Sequence, residues 1–254
     1  QGDVVPSLRS VAYGAAPMPP TLLARADRQL GVELAEGYGM TELSGNAVFL
    51  DPAAHRRGLA GDARLLGAAG RPGPGVIVRL VDDDEREVAT GDVGEIVVRG
   101  AQVMAGYWDD EPATTDAMRG GWFHTGDVGR FDDDGLLYVV DRKKDVIVTG
   151  GENVASREVE DVLHSHPDVR EAAVIGVSDA HWGENVCAIV VPRPGRAVAP
   201  AEMMELVRSR LAGFKTPRHV VTVDRLPTNA SGKVLKAELR RWIVDHPELL
   251  EERR

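Results

Sequence analysis

The segment Gly37-Tyr38-Gly39-Met40-Thr41-Glu42 holds the first residues that could do chemistry. Glycines flanking an aromatic let backbone approach a planar ligand. A hydroxyl beside a carboxylate suits a phosphate and the Mg²⁺ that travels with it. Alone, the same residues also describe a glycine-rich turn with a capping threonine. A second segment, Trp122-Phe123-His124-Thr125-Gly126-Asp127, sets an aspartate after a glycine turn. One carboxylate spans a vicinal diol, so Asp127 could accept both hydroxyls of a ribose; it could also bond its own backbone in a turn. His124, lying beside aromatics, reads as a structural side chain rather than a general base. In a third region, Asp141-Arg142-Lys143-Lys144-Asp145 precedes Thr149-Gly150-Gly151-Glu152-Asn153. The basic cluster could hold an anion and the double glycine could let a ligand pass, or the two are a solvated linker and a β-turn. A fourth, Pro227-Thr228-Asn229-Ala230-Ser231-Gly232-Lys233-Val234, puts a lysine on a glycine turn. It is no phosphate loop, because Thr228 stands where the first glycine belongs and Val234 where a Mg²⁺-binding hydroxyl belongs.

Other chemistries find less support. The sequence has no Gly-x-Ser-x-Gly elbow, no His-Glu-x-x-His and no EF-hand spacing, and His164 and His166 lack a third metal ligand. Of the 254 residues, 40 are acidic and 30 basic, a net charge of -10. That balance disfavours nucleic acid and anionic membrane as partners. No apolar run reaches membrane-spanning length. The single cysteine, Cys187, excludes an intramolecular disulfide and lies in the apolar run Val186 to Val191, where a buried thiol is expected. A reducing, cytoplasmic location is the default expectation.

The elements that must position these residues follow from periodicity and punctuation. A short strand from Leu8 to Tyr13 ends at Gly14, and Pro19 and Pro20 open a helix to about Leu30. A strand at Val32 to Leu34 leads into the glycine-rich segment, read as a loop. Residues 51–75, rich in glycine and proline, are read as mostly loop. Strands are expected at Val76 to Val81, Gly94 to Arg99 and Leu136 to Val140, with a helix at Asp109 to Met118. Beyond Asp141 the order is strand Asp145 to Thr149, a helix capped by Ser156, strands Glu171 to Val177 and Val186 to Val191, a helix over 201–211, strand Val220 to Val223 and a helix over 234–244. This describes a small α+β domain. The expected division is residues 1–141, a hinge at 142–144, and residues 145–254.

Taken in order, the motifs resemble the adenylate-forming superfamily: acyl-CoA synthetases, peptide-synthetase adenylation domains and luciferase. The resemblance rests on Gly14-Ala15-Ala16-Pro17, Gly37 to Glu42, Gly94 to Gly100, Gly106-Tyr107-Trp108, His124 to Asp127, Asp141 to Asp145, Gly150 to Asn153 and Gly232-Lys233. Gly150-Gly151-Glu152-Asn153 with Trp182-Gly183-Glu184 looks most like the acyl-CoA synthetase branch. Such relatives carry an upstream Ser/Thr/Gly-rich loop that holds the β- and γ-phosphates. No such loop occurs here, and the chain opens at Gln1 in what reads as mid-strand. The expectation is therefore the C-terminal half of such an enzyme: the last part of the large α/β domain, with its sheet and small β-barrel, then a mobile α+β lid.

The resemblance implies ATP, Mg²⁺ and CoA as ligands, a carboxylic acid as substrate, and the missing N-terminal half as a partner. Gly14, Ala15 and Pro17 would line the acyl and adenine site, and Glu36, Gly37 and Tyr38 would flank the adenine. Thr41 would touch the α-phosphate and Glu42 would hold Mg²⁺. Asp127 would bind the ribose hydroxyls, with Arg142 on ribose and phosphate. Lys233 would bridge carboxylate and α-phosphate. Lys144 would be the hinge, Gly150 and Gly151 one wall of the pantetheine tunnel, and Trp182 and Phe214 contacts to CoA. The implied activity is formation of an acyl-AMP and then a thioester. The alternatives are an adenylation domain loading a carrier protein and a non-catalytic nucleotide-binding module. The 254 residues alone are expected to be inactive.

Overall fold

The computed structural model describes residues 7–15, 18, 20–230 and 232–250. The chain divides into two compact units, Gln1–Val140 and Asp141–Arg254.

In the first unit, β1 (Ser10–Gly14) and β2 (Glu33–Met40) pair in parallel, joined by α1 (Pro20–Leu30). Pro20 starts α1, Leu23 is fully buried beneath it, and Gly31 at φ 60° ends it. β3 (Gly45–Leu50) runs antiparallel to β2, and after α2 (Pro52–Leu59) the two-residue β4 (Arg71–Pro72) completes this sheet. The second sheet has the order β5 (Val76–Val81), β6 (Gly94–Gly100), β7 (Phe123–Phe131), β8 (Leu137–Arg142), with α3 (Glu111–Ala117) between β6 and β7. Leu137 in β8 bonds the Ala69–Gly70 segment that leads into β4: its N–H donates to Gly70 O at 2.8 Å, and Ala69 N donates to Leu137 O at 2.8 Å. One apolar core, including Leu43, Val48, Ile96, Val98, Phe123 and Leu137, lies between the sheets.

The second unit contains β9 (Ile147–Thr149), β10 (Glu152–Val154), α4 (Ser156–His164), β11 (Val169–Asp179), β12 (Gly183–Pro192), α5 (Pro200–Arg208), β13 (His219–Thr222) and α6 (Lys236–Asp245). The sheet order is β10-β9-β12-β11, and β13 pairs with β12 in parallel. Val174, Val186, Ala188 and Val190 pack with Val159, Leu163, Met203 and Val207 of α4 and α5. The alternate residues Ala173, Ile175, Cys187 and Ile189 pack with Leu239 and Ile243 of α6. Both faces of the sheet are covered, which is why β11 and β12 read as continuous apolar runs. Cys187 is fully buried, and burial pushes its thiol up to about 12. No helix of the described residues is long and apolar enough to cross a membrane.

Four local expectations change. β2 continues through Gly39 to Met40, because pairing with β3 from Glu36–Leu50 to Met40–Gly45 holds the glycines extended. Residues 52–59 form a helix despite their Gly- and Pro-rich neighbourhood: Asp51 accepts from Ala54 N at 2.7 Å and Pro52 occupies the first turn. Gly150-Gly151 turns β9 back into β10, a strand too short to show a period. Ser156 is the first helical residue of α4, not its cap. The cap comes from a carboxylate upstream: Asp141 Oδ2 accepts from Ser156 N and Ser156 Oγ, both at 2.6 Å. The residue at the cap position, Ala155, has no side chain able to do this. Asp141→Ala should therefore lower the stability of the second unit by about 2–3 kcal/mol, and Asp141→Asn by less. Urea unfolding of both variants measures this, and equal midpoints for Asp141→Ala and the parent would contradict it.

Candidate functional site

The glycine-rich residues of the first unit lie at the C-terminal ends of the parallel pair β1 and β2, where ligands of α/β sheets bind. Gly14 pairs with Gly37 and Tyr13 with Glu36. The approach is close: a Cβ on Gly14 would lie 2.3 Å from Gly37 O, and one on Gly37 would lie 2.1 Å from Asn46 Nδ2. Ala15 follows at φ 65°, a left-handed conformation that costs about 1–2 kcal/mol outside glycine. Pro17 lies outside the described residues.

Tyr38 and Asp127, 89 positions apart in sequence, meet here: the Tyr38 hydroxyl donates to Asp127 Oδ2 at 2.8 Å. One comes from β2 and the other from β7, so the two sheets of the unit converge on this bond. Asp127 is only 5% exposed. Glu36 faces a neighbour that sequence reasoning missed. The Tyr13 hydroxyl lies 3.2 Å from Glu36 Oε2 and 2.8 Å from His55 Nε2. His55 Nδ1 faces the carbonyl of Asp51 at 2.9 Å, a pure acceptor, so Nδ1 carries a proton, and the Tyr13 hydroxyl donates to Glu36. Burial and the Glu36 charge raise the Tyr13 hydroxyl well above its usual range.

Thr41 and Glu42 sit on a single turn of 3₁₀ helix, Thr41–Leu43, anchored by the fully buried Leu43. Glu42 is held twice by the segment after β6. Met104 N donates to Glu42 O at 2.8 Å, and the Tyr107 hydroxyl donates to Glu42 Oε1 at 3.1 Å. Burial and this carboxylate raise the Tyr107 hydroxyl. Tyr107 lies in the Gly106-Tyr107-Trp108 motif, but nothing in its local spacing pointed to Glu42. Among the described residues no group of three or more His, Cys, Asp or Glu is placed to hold a metal. A lone, tyrosine-fixed carboxylate fits Mg²⁺, which keeps most of its waters and shares phosphate oxygens, and not an all-protein metal cage.

In the second unit, Arg142 ends β8 and Lys144 lies in the turn Lys143–Asp145. Arg240 of α6 reaches back to this turn, its Nη2 donating to Asp145 Oδ1 at 2.8 Å and to Lys144 O at 3.3 Å. Gly150, Gly151 and Trp182 are brought together. Gly150 N donates to Trp182 O at 2.8 Å, and a Cβ on Gly150 would lie 2.7 Å from the indole. Arg218 stacks on that indole at 4.9 Å from its centroid, and Lys215 lies 5.8 Å from the ring of the exposed Phe214. Lys233 stands on a tight hairpin: Asn229 N donates to Lys233 O at 2.9 Å, and Lys233 N donates to Asn229 Oδ1 at 2.8 Å.

Comparison with known proteins shows the family. Residues 1–108 match the family model of AMP-binding enzymes, and residues 158–233 match that of the AMP-binding enzyme C-terminal domain. The chain belongs to the adenylate-forming, AMP-binding enzyme family. A feruloyl-CoA synthase from an Amycolatopsis species is 46% identical over 92% of this chain and 46% of its own length. The amide bond synthetase McbA from Marinactinospora thermotolerans superposes with a TM-score of 0.83 at 43% identity, over 93% of this chain and 47% of its own. O-succinylbenzoate coenzyme A synthetase from Bacillus subtilis, solved with ATP and a magnesium ion, gives 0.82 at 36% identity, over 94% and 48%. The chain thus spans about half the length of the relatives it matches.

Because the β1–β2 crossing at Gly14 has no room for a methyl group, Gly14→Ala should destabilise the first unit by about 1–3 kcal/mol. Thermal unfolding checks this, and an unchanged midpoint would mean that the two strand ends are not held this close.

Proposed function

We propose that the protein, at its natural length, is an ATP-dependent acyl-CoA synthetase: a carboxylate and ATP give acyl-AMP and pyrophosphate, and the CoA thiol then takes the acyl group, releasing AMP and a proton. The observation that carries this reading is the Tyr38–Asp127 bond, which sets an aromatic face and a diol-binding carboxylate side by side. The aromatic ring stacks on adenine while Asp127 accepts the ribose hydroxyls. Gly14, Ala15, Glu36 and Gly37 lie at the same end of the sheet, Thr41 contacts the α-phosphate, and Glu42 holds the metal. Bound there, Mg²⁺ would neutralise phosphate charge. The triphosphate-binding loop falls outside these 254 residues, which on this reading do not carry out the reaction by themselves.

Joining a carboxylate to an α-phosphate brings two anions together. Lys233 offsets that repulsion as a point charge, and a compact ammonium on a flexible stem tolerates the geometry change at phosphorus. Arg142 contacts ribose and phosphate. The residues from 145 onward act as a lid turning about Lys144. One pose presents Lys233 for adenylation; the other presents Gly150, Gly151, Trp182 and Phe214 to the pantetheine and CoA. Differential affinity before and after pyrophosphate release shifts the lid between poses. Relatives named for feruloyl, indoleacetate and fatty-acid substrates support a carboxylic acid of aryl or alkyl type as the substrate.

The two half-reactions test this. Lys233→Ala should slow acyl-AMP formation by about 10² to 10³ while largely sparing thioester formation from supplied acyl-AMP. Gly151→Trp should do the reverse, because the indole would fill the pantetheine path. Lys233→Ala damaging both steps equally, or Gly151→Trp blocking adenylation, would contradict the assignment. Tyr38→Phe keeps the ring and loses one hydrogen bond, so the Kd for AMP should rise about 3- to 10-fold by calorimetry.

A further inference from the structure

The strands around Asp127 do not pair regularly. On β6, Glu95 and Val97 pair with Val128 and His124 of β7, so the single residue Ile96 faces three: Thr125, Gly126 and Asp127. Such a bulge interrupts the ladder and re-aims a side chain. It also leaves backbone groups to be satisfied in a buried place, since Thr125 is 6% and Asp127 5% exposed. Two side chains supply the partners. Glu95 Oε1 accepts from Gly126 N at 3.3 Å. Thr125 Oγ1 donates to Ile96 O at 2.7 Å and accepts from Asp127 N at 3.1 Å. Gly126 takes φ 69°, which a residue with a side chain would adopt only at a cost.

Glu95 is itself a buried carboxylate, 6% exposed, and such a group is costly unless it is paired. Its Oε2 lies 3.8 Å from Arg119 Nη2 and 3.4 Å from His124 Nδ1. The same Arg119 nitrogen, a pure donor, reaches His124 Nδ1 at 2.9 Å, so Nδ1 accepts and Nε2 carries the proton, facing Glu85 Oε2 at 3.1 Å. Arg119 therefore pairs with the carboxylate beside the bulge, and His124 fixes the guanidinium by accepting from it.

We propose that Glu95 and Thr125 are positioning residues for Asp127, pinning the β6–β7 bulge that turns its carboxylate toward Tyr38. This inference rests on the reading of Asp127 as the ribose-binding residue. A carboxylate that must meet two hydroxyls at once is sensitive to small displacements, so loosening the bulge should erode selectivity for the intact diol before it erodes adenine stacking.

The test is equilibrium binding of AMP and of 2′-deoxy-AMP to the protein at its natural length, read as the ratio of their Kd values. The parent should favour AMP by about 10-fold or more, as expected for hydrogen bonds to a charged group. Glu95→Ala and Thr125→Val should each bring the ratio to within about 2-fold of unity. Glu95→Gln keeps an acceptor for Gly126 N and Thr125→Ser keeps the hydroxyl, so both should hold it within about 3-fold of the parent. Thr125→Val nearly preserves volume and carries the test if Glu95→Ala does not fold. The inference is overturned if Glu95→Ala and Thr125→Val keep the parent ratio, or if Glu95→Gln is as impaired as Glu95→Ala. Asp127→Ala separates the two levels. A ratio that it leaves unchanged defeats the ribose reading itself; a ratio that it alone collapses leaves that reading standing and defeats the positioning claim.

Discussion

The hydrogen bond between Tyr38 and Asp127 is the constraint on which the first unit depends. It joins β2 and β7, strands of two sheets that also share an apolar core. On one side, glycines at 14 and 37 let β1 and β2 come close together, with Tyr38 just beyond their last pair. On the other, the β6–β7 bulge turns Asp127 out of the ladder. An aspartate this buried needs a donor, and the tyrosine hydroxyl provides one while its ring stays available to stack.

The second unit meets a different demand. Its sheet is apolar on both faces, and one cluster of charged groups holds the segment where the chain enters. Asp141 caps α4, and Lys236 of α6 donates to Ser156 Oγ at 2.5 Å and pairs with Glu160 at 2.7 Å. Arg240, one turn further along α6, holds the Lys143–Asp145 turn. α6 begins three residues after Lys233. The helix that follows Lys233, the lysine proposed to act on the α-phosphate, is thus bonded to the segment proposed as hinge.

Most elements were legible because their signals are local. β5 shows an apolar run between turn residues, and α1 shows a proline at its start with leucines at helical spacing. The AMP-binding family was legible as a resemblance carried by several short motifs in a fixed order. What the sequence hid were contacts between distant residues. Tyr107 reaches Glu42 across 65 positions and Asp141 caps a helix 15 positions downstream, so no window of neighbouring residues contains either pair. The helix α2 was hidden for the opposite reason: its cap and proline are local, but the glycines and prolines around them signal loop more strongly. The bulge could not be read because Thr125-Gly126-Asp127 looks like a turn until β6 is laid beside it.

The central claim is activation of a carboxylate through its adenylate, and nucleotide product analysis tests it most directly. The protein at its natural length would be incubated with ATP, Mg²⁺, CoA and a panel of aryl and alkyl carboxylic acids. The account predicts AMP and pyrophosphate in equal amounts, formed only with an accepted acid, together with one acyl-CoA per AMP. ADP and inorganic phosphate as the products, or AMP released at the same rate without any acid, would contradict it.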